Sequence, residues 1–253
     1  MLVLHHLPHS ICSQKVRIIL AEKRLEWLGR IVDLARFEHL SDEFLRINPN
    51  GVVPVLEHDG AAIVESTVIC EYLDEVFGAP ALSPTAPLGR ARMREWLRFI
   101  DEVPTASVRV PSFQNALLPG YAAIPRAEWE RLVARMPIRA GFFRRMGQAG
   151  FSPEDYENSL AQLRHAVARV EAAVGTAPWL AGEDFTIADA CMAPLFQRME
   201  DLRLDRLWAQ APAAATWFAR VRARPSWAVA LPHGSRLGEV IADLPARLDA
   251  ASA

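Results

Sequence analysis

Three prolines, Pro80, Pro84 and Pro87, fall within the short stretch Gly78–Gly89. Each fixes φ and removes a backbone donor, so neither a helix nor a central strand runs through the segment. The patterning differs on its two sides. Before it, short strand-like and helix-like runs alternate; after it, only helical spacing remains. The 253 residues suffice for two compact units of ordinary size. The expected organisation is an α/β unit over 1–77, a linker over 78–89 and an all-helical unit over 90–253.

In the first unit, Met1–Leu7 is an apolar run ended by Pro8 and reads as a buried strand. The spacing of Val16, Ile19 and Leu20 predicts a helix from Ser10 to about Arg24. Arg30–Leu34 reads as a second strand. Ser41 followed by Asp42 and Glu43 is a cap with acids where the helix dipole favours them, so Ser41–Ile47 is expected to be helical. Val52–Glu57 and Ala61–Val64 form a hairpin about His58-Asp59-Gly60. Ser66 is expected to cap a helix that runs to Phe77 and stops at Gly78. The order is β-α-β-α-β-β-α.

Beyond the linker, Arg90–Val103 places Met93, Trp96, Leu97 and Ile100 on one helical face. Pro104 to Pro125 carries four prolines and is expected to be irregular. Glu128–Gln148 is helical with an interruption at Pro137. Ser152-Pro153-Glu154-Asp155 joins an N-cap, a first-position proline and first-turn acids, and starts a helix to about Val174. Thr186–Leu202 and Ala213–Arg224 are further helices. The tail to Ala253 is expected to hold one more short helix.

Composition narrows the function. A net charge of −2 and a pI near 6.4 argue against nucleic acid as the main ligand. Charge is uneven: residues 1–80 carry 7 basic and 12 acidic groups, whereas residues 90–150 carry 11 and 5. Such an excess is ordinarily a solvated face; it also draws anionic substrates toward a cleft. Arginine outnumbers lysine 26 to 2, which reads as the bias of a GC-rich genome. Three sparse cysteines, Cys12, Cys70 and Cys191, give no disulfide framework and imply a reducing compartment, so the expected location is the cytoplasm. No apolar run is long enough to cross a membrane, and the start lacks the features of a signal peptide. The seven histidines are scattered and no His/Cys spacing suits zinc, so no metal is expected. His5 and His6 share a strand and point to opposite faces. Cys70 and Cys191 lie in apolar helical stretches and read as packed thiols.

Three segments of the first unit carry chemistry. In Ser10-Ile11-Cys12-Ser13-Gln14-Lys15-Val16-Arg17 a strand gives way to a helix, whose free N–H groups and dipole stabilise an anion, including a thiolate; ordinary capping is the alternative. In Asn48-Pro49-Asn50-Gly51-Val52-Val53-Pro54-Val55-Leu56 a proline stands at the mouth of a strand. Either Val53–Pro54 is cis, turning the Val53 backbone toward an extended peptide, or Pro54 is a plain edge-strand proline. In Val64-Glu65-Ser66 a strand meets a helix start. Ser66 with nearby N–H groups suits a carboxylate and Glu65 suits an ammonium, the two charges of an amino-acid head group; simple capping is again the alternative.

Together these segments resemble the thioredoxin-like domain of cytosolic glutathione transferases. Trp179 to Asp189 is similar to that family's capping box, with Thr186 and Asp189 as its reciprocal pair, and Trp217-Phe218 with Arg222-Ala223-Arg224-Pro225-Ser226 also matches. The resemblance covers nearly the whole chain. It implies a thioredoxin-like first domain, an all-helical second domain and glutathione as co-substrate. Backbone groups at Val53 and Pro54 would hold the cysteinyl part, and Glu65 and Ser66 the γ-glutamyl end. His39, expected on the second helix, would contact the glycyl carboxylate. Ser10 would donate a hydrogen bond to the thiolate, with Cys12 as the alternative active group for thiol–disulfide exchange or reductive dehalogenation. Within the superfamily, the start is similar to zeta-type and reductive-dehalogenase members. The Glu65–Leu73 run resembles the bacterial β-aryl-etherases. Other stretches resemble the ganglioside-induced differentiation-associated proteins, which leaves a non-catalytic binding or scaffold protein as a further alternative. The implied second partner is a small hydrophobic electrophile, in a pocket lined near Pro8-His9 and by Arg94 to Tyr121. A homodimer is also implied, with Arg90, Arg92, Arg94 and Arg98 available to an acidic partner face.

Overall fold

The structure, a computed structural model, describes residues 1–252. β1 (Leu2–His6), α1 (Ile11–Glu22) and β2 (Leu28–Ile31) make a parallel βαβ unit. α2 (Asp42–Ile47) follows, then the antiparallel pair β3 (Val55–His58) and β4 (Ala61–Val64), then α3 (Ser66–Phe77). The sheet order is β2-β1-β3-β4. β1 is buried throughout, as a central strand should be. β2 is an exposed edge that lies earlier than its apolar signal predicts. Val32 and Leu34, which gave that signal, have already left the sheet to pack with Phe44, Val53 and Val55. The Val53–Pro54 peptide bond is cis.

Side-chain caps start α1, α2 and the later helices Pro153–Val174 and Ile187–Asp201. Ser41 Oγ accepts from Phe44 N at 3.1 Å, and Ser152 Oγ from Asp155 N at 3.1 Å, both as expected. Ser66 departs from expectation. It is the first residue of α3, and the cap position belongs to Glu65, which makes no side-chain cap bond and has φ 70°.

α4 (Pro87–Glu102) starts on Pro87, so the last of the linker prolines opens a helix. The Pro104–Pro125 stretch is helical in pieces, not irregular: α5 (Pro104–Ser107), α6 (Arg109–Ser112), a π-helical turn over Phe113–Leu117 and α7 (Leu118–Ala122). Pro104, Pro111 and Pro119 each fall in a first turn, where the missing N–H had no intrahelical partner to lose. α8 (Arg126–Arg135) and α9 (Ala140–Met146) flank Pro137. α10 (Pro153–Val174), α11 (Ile187–Asp201), α12 (Pro212–Arg222) and α13 (Pro225–Ala230) complete the bundle. The tail forms two short helices where one was expected, α14 (Leu237–Val240) and α15 (Leu244–Ser252).

α1 packs on α3, α11 and α13, so one apolar core runs from Leu4, Leu20 and Ile69 to Met93, Ile100 and Phe196. Charged side chains lock the same seam. Lys15, fully buried, donates to Asp101 Oδ1 at 2.9 Å and Thr105 Oγ1 at 3.1 Å. Lys23 donates to Asp74 at 2.8 Å and to the carbonyls of Gly78 and Pro80 at 2.7 and 2.8 Å, which fixes the linker. Gln14 and Arg17 reach the backbone and hydroxyl of Ser235. The Gln14–Arg17 stretch, first read for its chemistry, is packing. Glu22 takes a two-pronged bond from Arg224 at 2.6 and 2.8 Å. Thr186 and Asp189 form the expected capping box. Asp189 accepts from Leu180 N, Thr186 N, Thr186 Oγ1 and Trp217 Nε1, and burial nonetheless pushes its carboxyl above the usual range. Cys70 and Cys191 are buried thiols with sulfurs 3.9 Å apart, and burial raises the Cys70 thiol.

Candidate functional site

A cavity of about 940 Å³ opens between the end of β1 and the second unit. Ser10, Cys12, His39 and Val53 line it from the first unit. Pro54, Glu65 and Ser66 do not bound it, but they stand nearby. β3 and β4 pair with Val55 opposite Val64, so 53–54 and 65–66 lie side by side at one end of the hairpin.

Ser10 is the N-cap of α1. Its Oγ accepts from Ser13 N at 3.4 Å, which leaves the hydroxyl proton to donate elsewhere. The first turn of α1 adds N–H groups that have no intrahelical partner. Cys12, half-buried on the same wall, lies within electrostatic reach of Lys15, Arg139 and Arg198. Burial alone would push the Lys15 ammonium down; Cys12 and Asp101 hold it above its ordinary value.

His39 sits on a 3-10 turn over Glu38–Leu40, not on α2. Burial lowers its pKa to about 4, so the ring is neutral near pH 7, and its Nδ1 is buried without a partner. His9, also on the wall, is lowered to about 4 by burial and then by Arg198. Glu65 is exposed and holds a backbone conformation that side chains rarely adopt, the kind of local strain found at ligand clamps.

The facing wall comes from α6, the π-helical turn and the helices after it. Phe113 stacks on Tyr121 at 5.7 Å, and Phe143 and Trp129 meet Tyr121 edge-on. Phe37 reaches across from the first unit to 6.2 Å from Tyr121. Burial pushes the Tyr121 phenol up to about 12, so it stays protonated.

Arginines punctuate this apolar surface. Arg198, almost fully buried, donates to Ser112 Oγ at 3.3 Å and to the His9 carbonyl, while its Nε has no hydrogen-bond partner and lies 4.0 Å from Asp201 Oδ2. Arg247 donates to the Ala116 carbonyl at 2.7 Å and pairs with Asp243. The side chains of Arg109 and Arg139 make no hydrogen bond or ion pair among the described residues.

The expected lining from Arg94 to Tyr121 needs correction, because it begins at Val108. Arg94 turns the other way and bonds Glu71 at 2.6 Å on α3. Arg90 is engaged by the carbonyls of Pro84 and Thr85, so two of the four arginines assigned to a partner face are held within the chain. Sequence reasoning missed Phe37, Arg139, Phe142, Leu237, Ile241 and Arg247, all on the wall. The basic excess over 90–150 was the one signal that pointed there. Among the described residues, no group of three or more His, Cys, Asp or Glu side chains is placed to hold a metal ion.

Residues 4–81 match the family model described as glutathione S-transferase, N-terminal domain, and residues 133–225 match glutathione S-transferase, C-terminal domain. Protein LigF of Sphingobium sp. (strain NBRC 103272 / SYK-6) is 32% identical over 222 residues, covering 85% of this chain and 86% of its own. Glutathione S-transferase TCHQD of Arabidopsis thaliana is 28% identical over 237 residues, with 88% and 87% covered. The crystal structure of beta-etherase LigF from Sphingobium sp. strain SYK-6 superposes with a TM-score of 0.82 at 29% identity, over 90% of this chain and 98% of that one.

Proposed function

Because the chain belongs to the glutathione S-transferase family and is an enzyme of that family, we propose that it uses the thiolate of glutathione to attack a small hydrophobic electrophile in the cavity beside Ser10. The observation that carries this reading is the meeting of Ser10, His39 and Val53 on one wall, opposite an aromatic wall.

Backbone groups at Val53 and Pro54 hold the cysteinyl part of the tripeptide. Glu65 and Ser66, beside them at the end of the hairpin, hold the γ-glutamyl head group. Neutral His39 donates a hydrogen bond to the glycyl carboxylate. Ser10 donates its hydroxyl proton to the thiolate, and the N-terminus of α1 adds its dipole. Both lower the thiol pKa and raise the fraction of nucleophile at neutral pH. The sulfur then forms a bond to the electrophilic carbon, the leaving group departs with its electron pair, and the thiol proton goes to solvent. Likeness to a beta-etherase supports an ether as the bond broken.

A second reading uses Cys12. The half-buried sulfur shares the wall with Ser10; in this reading it attacks a disulfide substrate that contains glutathione, forms a mixed disulfide with one half and releases the other half as a thiolate. The proposal further takes 1–77 as the tripeptide-binding domain, 78–89 as linker and 90–253 as the electrophile domain. It places the protein as a homodimer in a reducing cytoplasm, in a detoxifying role.

Ser10→Ala and Cys12→Ser test the assignment on a chromogenic electrophile and on a disulfide substrate. One lost donor to a charged group is worth roughly 1.5–3 kcal/mol, or about one to two decades of rate. Ser10→Ala should lose that much conjugation while Cys12→Ser stays near the unmutated rate. The reverse pattern overturns the Ser10 assignment in favour of Cys12. In parallel, glutathione at about 100 times its dissociation constant should stabilise the fold by roughly 2.7 kcal/mol. No thermal shift would sink the glutathione reading.

A further inference from the structure

We propose that the electrophile is an aromatic molecule bearing an acidic group, a carboxylate or its equivalent, and that Arg109 and Arg139 hold that group. The inference rests on the glutathione reading and names the substrate class for the same cavity.

Arginine charges that serve the fold of this protein are answered. On the cavity wall, Arg198 and Arg247 each have carbonyl, hydroxyl or carboxylate partners, and Arg36 lies 3.6 Å from Asp33. Arg109 and Arg139 differ. Both line the cavity, both are partly buried, and neither side chain has a hydrogen bond or ion pair among the described residues. They also act on each other: burial lowers the Arg139 pKa and the charge of Arg109 lowers it further, opposed by Cys12 and Glu65. Two like charges drawn partly out of water toward one space are unfavourable until an anion enters it.

The surroundings select the kind of anion. Phe113, Phe142 and Phe143 pack edge to face with one another on the same wall, and such faces receive an aromatic ring. Guanidinium groups are planar forks that match a carboxylate by two parallel bonds. The cavity, about 940 Å³, lies near the top of the usual range for small-molecule sites and leaves space beside a tripeptide. Acidic groups on the wall, Asp33 and Glu128, make no ion pair with Arg109 or Arg139, and Glu65 reaches Arg139 only through its field. Glutathione itself has carboxylates, but its two ends are assigned to the hairpin and to His39, on the opposite wall.

The test compares 4-chloro-3,5-dinitrobenzoate with its uncharged benzamide. In both, the glutathione sulfur bonds to the ring carbon that carries chlorine, chloride leaves with the bonding pair, and the thiol proton goes to solvent. Each kcat/KM is divided by the rate of the uncatalysed reaction with glutathione, which removes the electronic difference between the rings. The full-length protein should prefer the benzoate by about 10-fold or more. Arg109→Gln combined with Arg139→Gln should bring the ratio close to one, through the KM of the benzoate. Equal handling of the two compounds by the unmutated protein overturns the proposal, and needs no variant to fold. A preference that survives the double substitution while the KM for glutathione rises also overturns it, by assigning the arginines to the tripeptide. Glutathione-dependent turnover of neither compound, together with no thermal shift on adding glutathione, overturns the parent reading and this one with it.

Discussion

Lys15 and Arg139 are both cations held away from water, and the molecule treats them in opposite ways. Lys15 lies in the seam between the two units, fully buried, with its ammonium shared between Asp101 and Thr105. Asp101 is in turn held by the Thr67 hydroxyl at 2.6 Å. Lys23, the chain's other lysine, is saturated in the same manner by Asp74 and two carbonyls. A compact ammonium with three donors suits such a closed cage. On the cavity wall two charges, Arg109 and Arg139, are left open, and the neutral ring of His39 has an Nδ1 without a hydrogen-bond partner. Closed charges hold the units together; the open ones are those proposed to meet a ligand.

The largest test of that contrast is acid. Burial lowers His6, His9 and His39 to about 4, with Arg17 and His5 adding to the effect at His6 and Arg198 at His9. In the unfolded chain these rings take up protons near their ordinary value of 6.5; in the folded chain they do not until about pH 4. The unfolded state therefore binds more protons between those limits, and stability falls as pH falls through that window. Each ring accounts for up to about 2 kcal/mol between pH 7 and 5. Urea unfolding at pH 7, 6 and 5 should show midpoints that drop steeply. A flat profile would mean that the rings find partners on protonation, and, for His9 and His39, that the open wall is less open than its geometry.

Lys15→Met comes next. The substitution keeps most of the volume but leaves Asp101 and Thr105 without their donor. Breaking a buried pair costs about 3–5 kcal/mol, and water reaches the Asp101 side chain, which is 36% exposed, so the expected loss is about 3 kcal/mol. Denaturant unfolding at pH 7 measures it. A loss below about 1 kcal/mol would erase the distinction between closed and open charges.

The closed half of this contrast was only partly legible in the sequence. Ser41, Ser152, the Thr186–Asp189 pair and Gly78 announced themselves because a cap is a local device that needs one residue type at one place. Gln14, Lys15 and Arg17 stood in a stretch read for its chemistry, and turned out to fasten α1 to partners as distant in sequence as Ser235. The bias of 26 arginines to 2 lysines read as genomic, yet both lysines are structural anchors. On the open side, Ser10, Cys12, His39 and Val53 reached the cavity because the strand–turn–helix pattern fixes their positions. Ser66 did not become the cap, because Glu65 takes the turn in a left-handed conformation that no propensity foretells. The far wall was obscured by its prolines, which restart helices there. The contributions of Leu237, Ile241 and Arg247 had no local signal at all, since the tail reaches the cavity wall from far along the chain, Arg247 bonding the Ala116 carbonyl 131 residues away.

The smallest expected effect is also the one that isolates the open wall. Arg139→Gln removes a charge that has no ion pair or hydrogen bond to lose, in a position where burial and Arg109 both disfavour it. A surface charge of ordinary kind would change stability by no more than about 0.5 kcal/mol in either direction. Here the sign is defined: relief of the repulsion from Arg109 makes the change neutral or slightly stabilising, against the small loss of attraction to Glu65. Unfolding of the variant in urea should therefore give an unchanged or higher midpoint at pH 7, and the gain should shrink in 1 M salt as screening shortens the reach of Arg109. A functional group that costs stability where it stands is the usual mark of a site kept for its ligand. A loss of more than about 1 kcal/mol would make Arg139 a second Lys15, a charge held for the fold, and would remove the ground for reading it as half of an anion clamp.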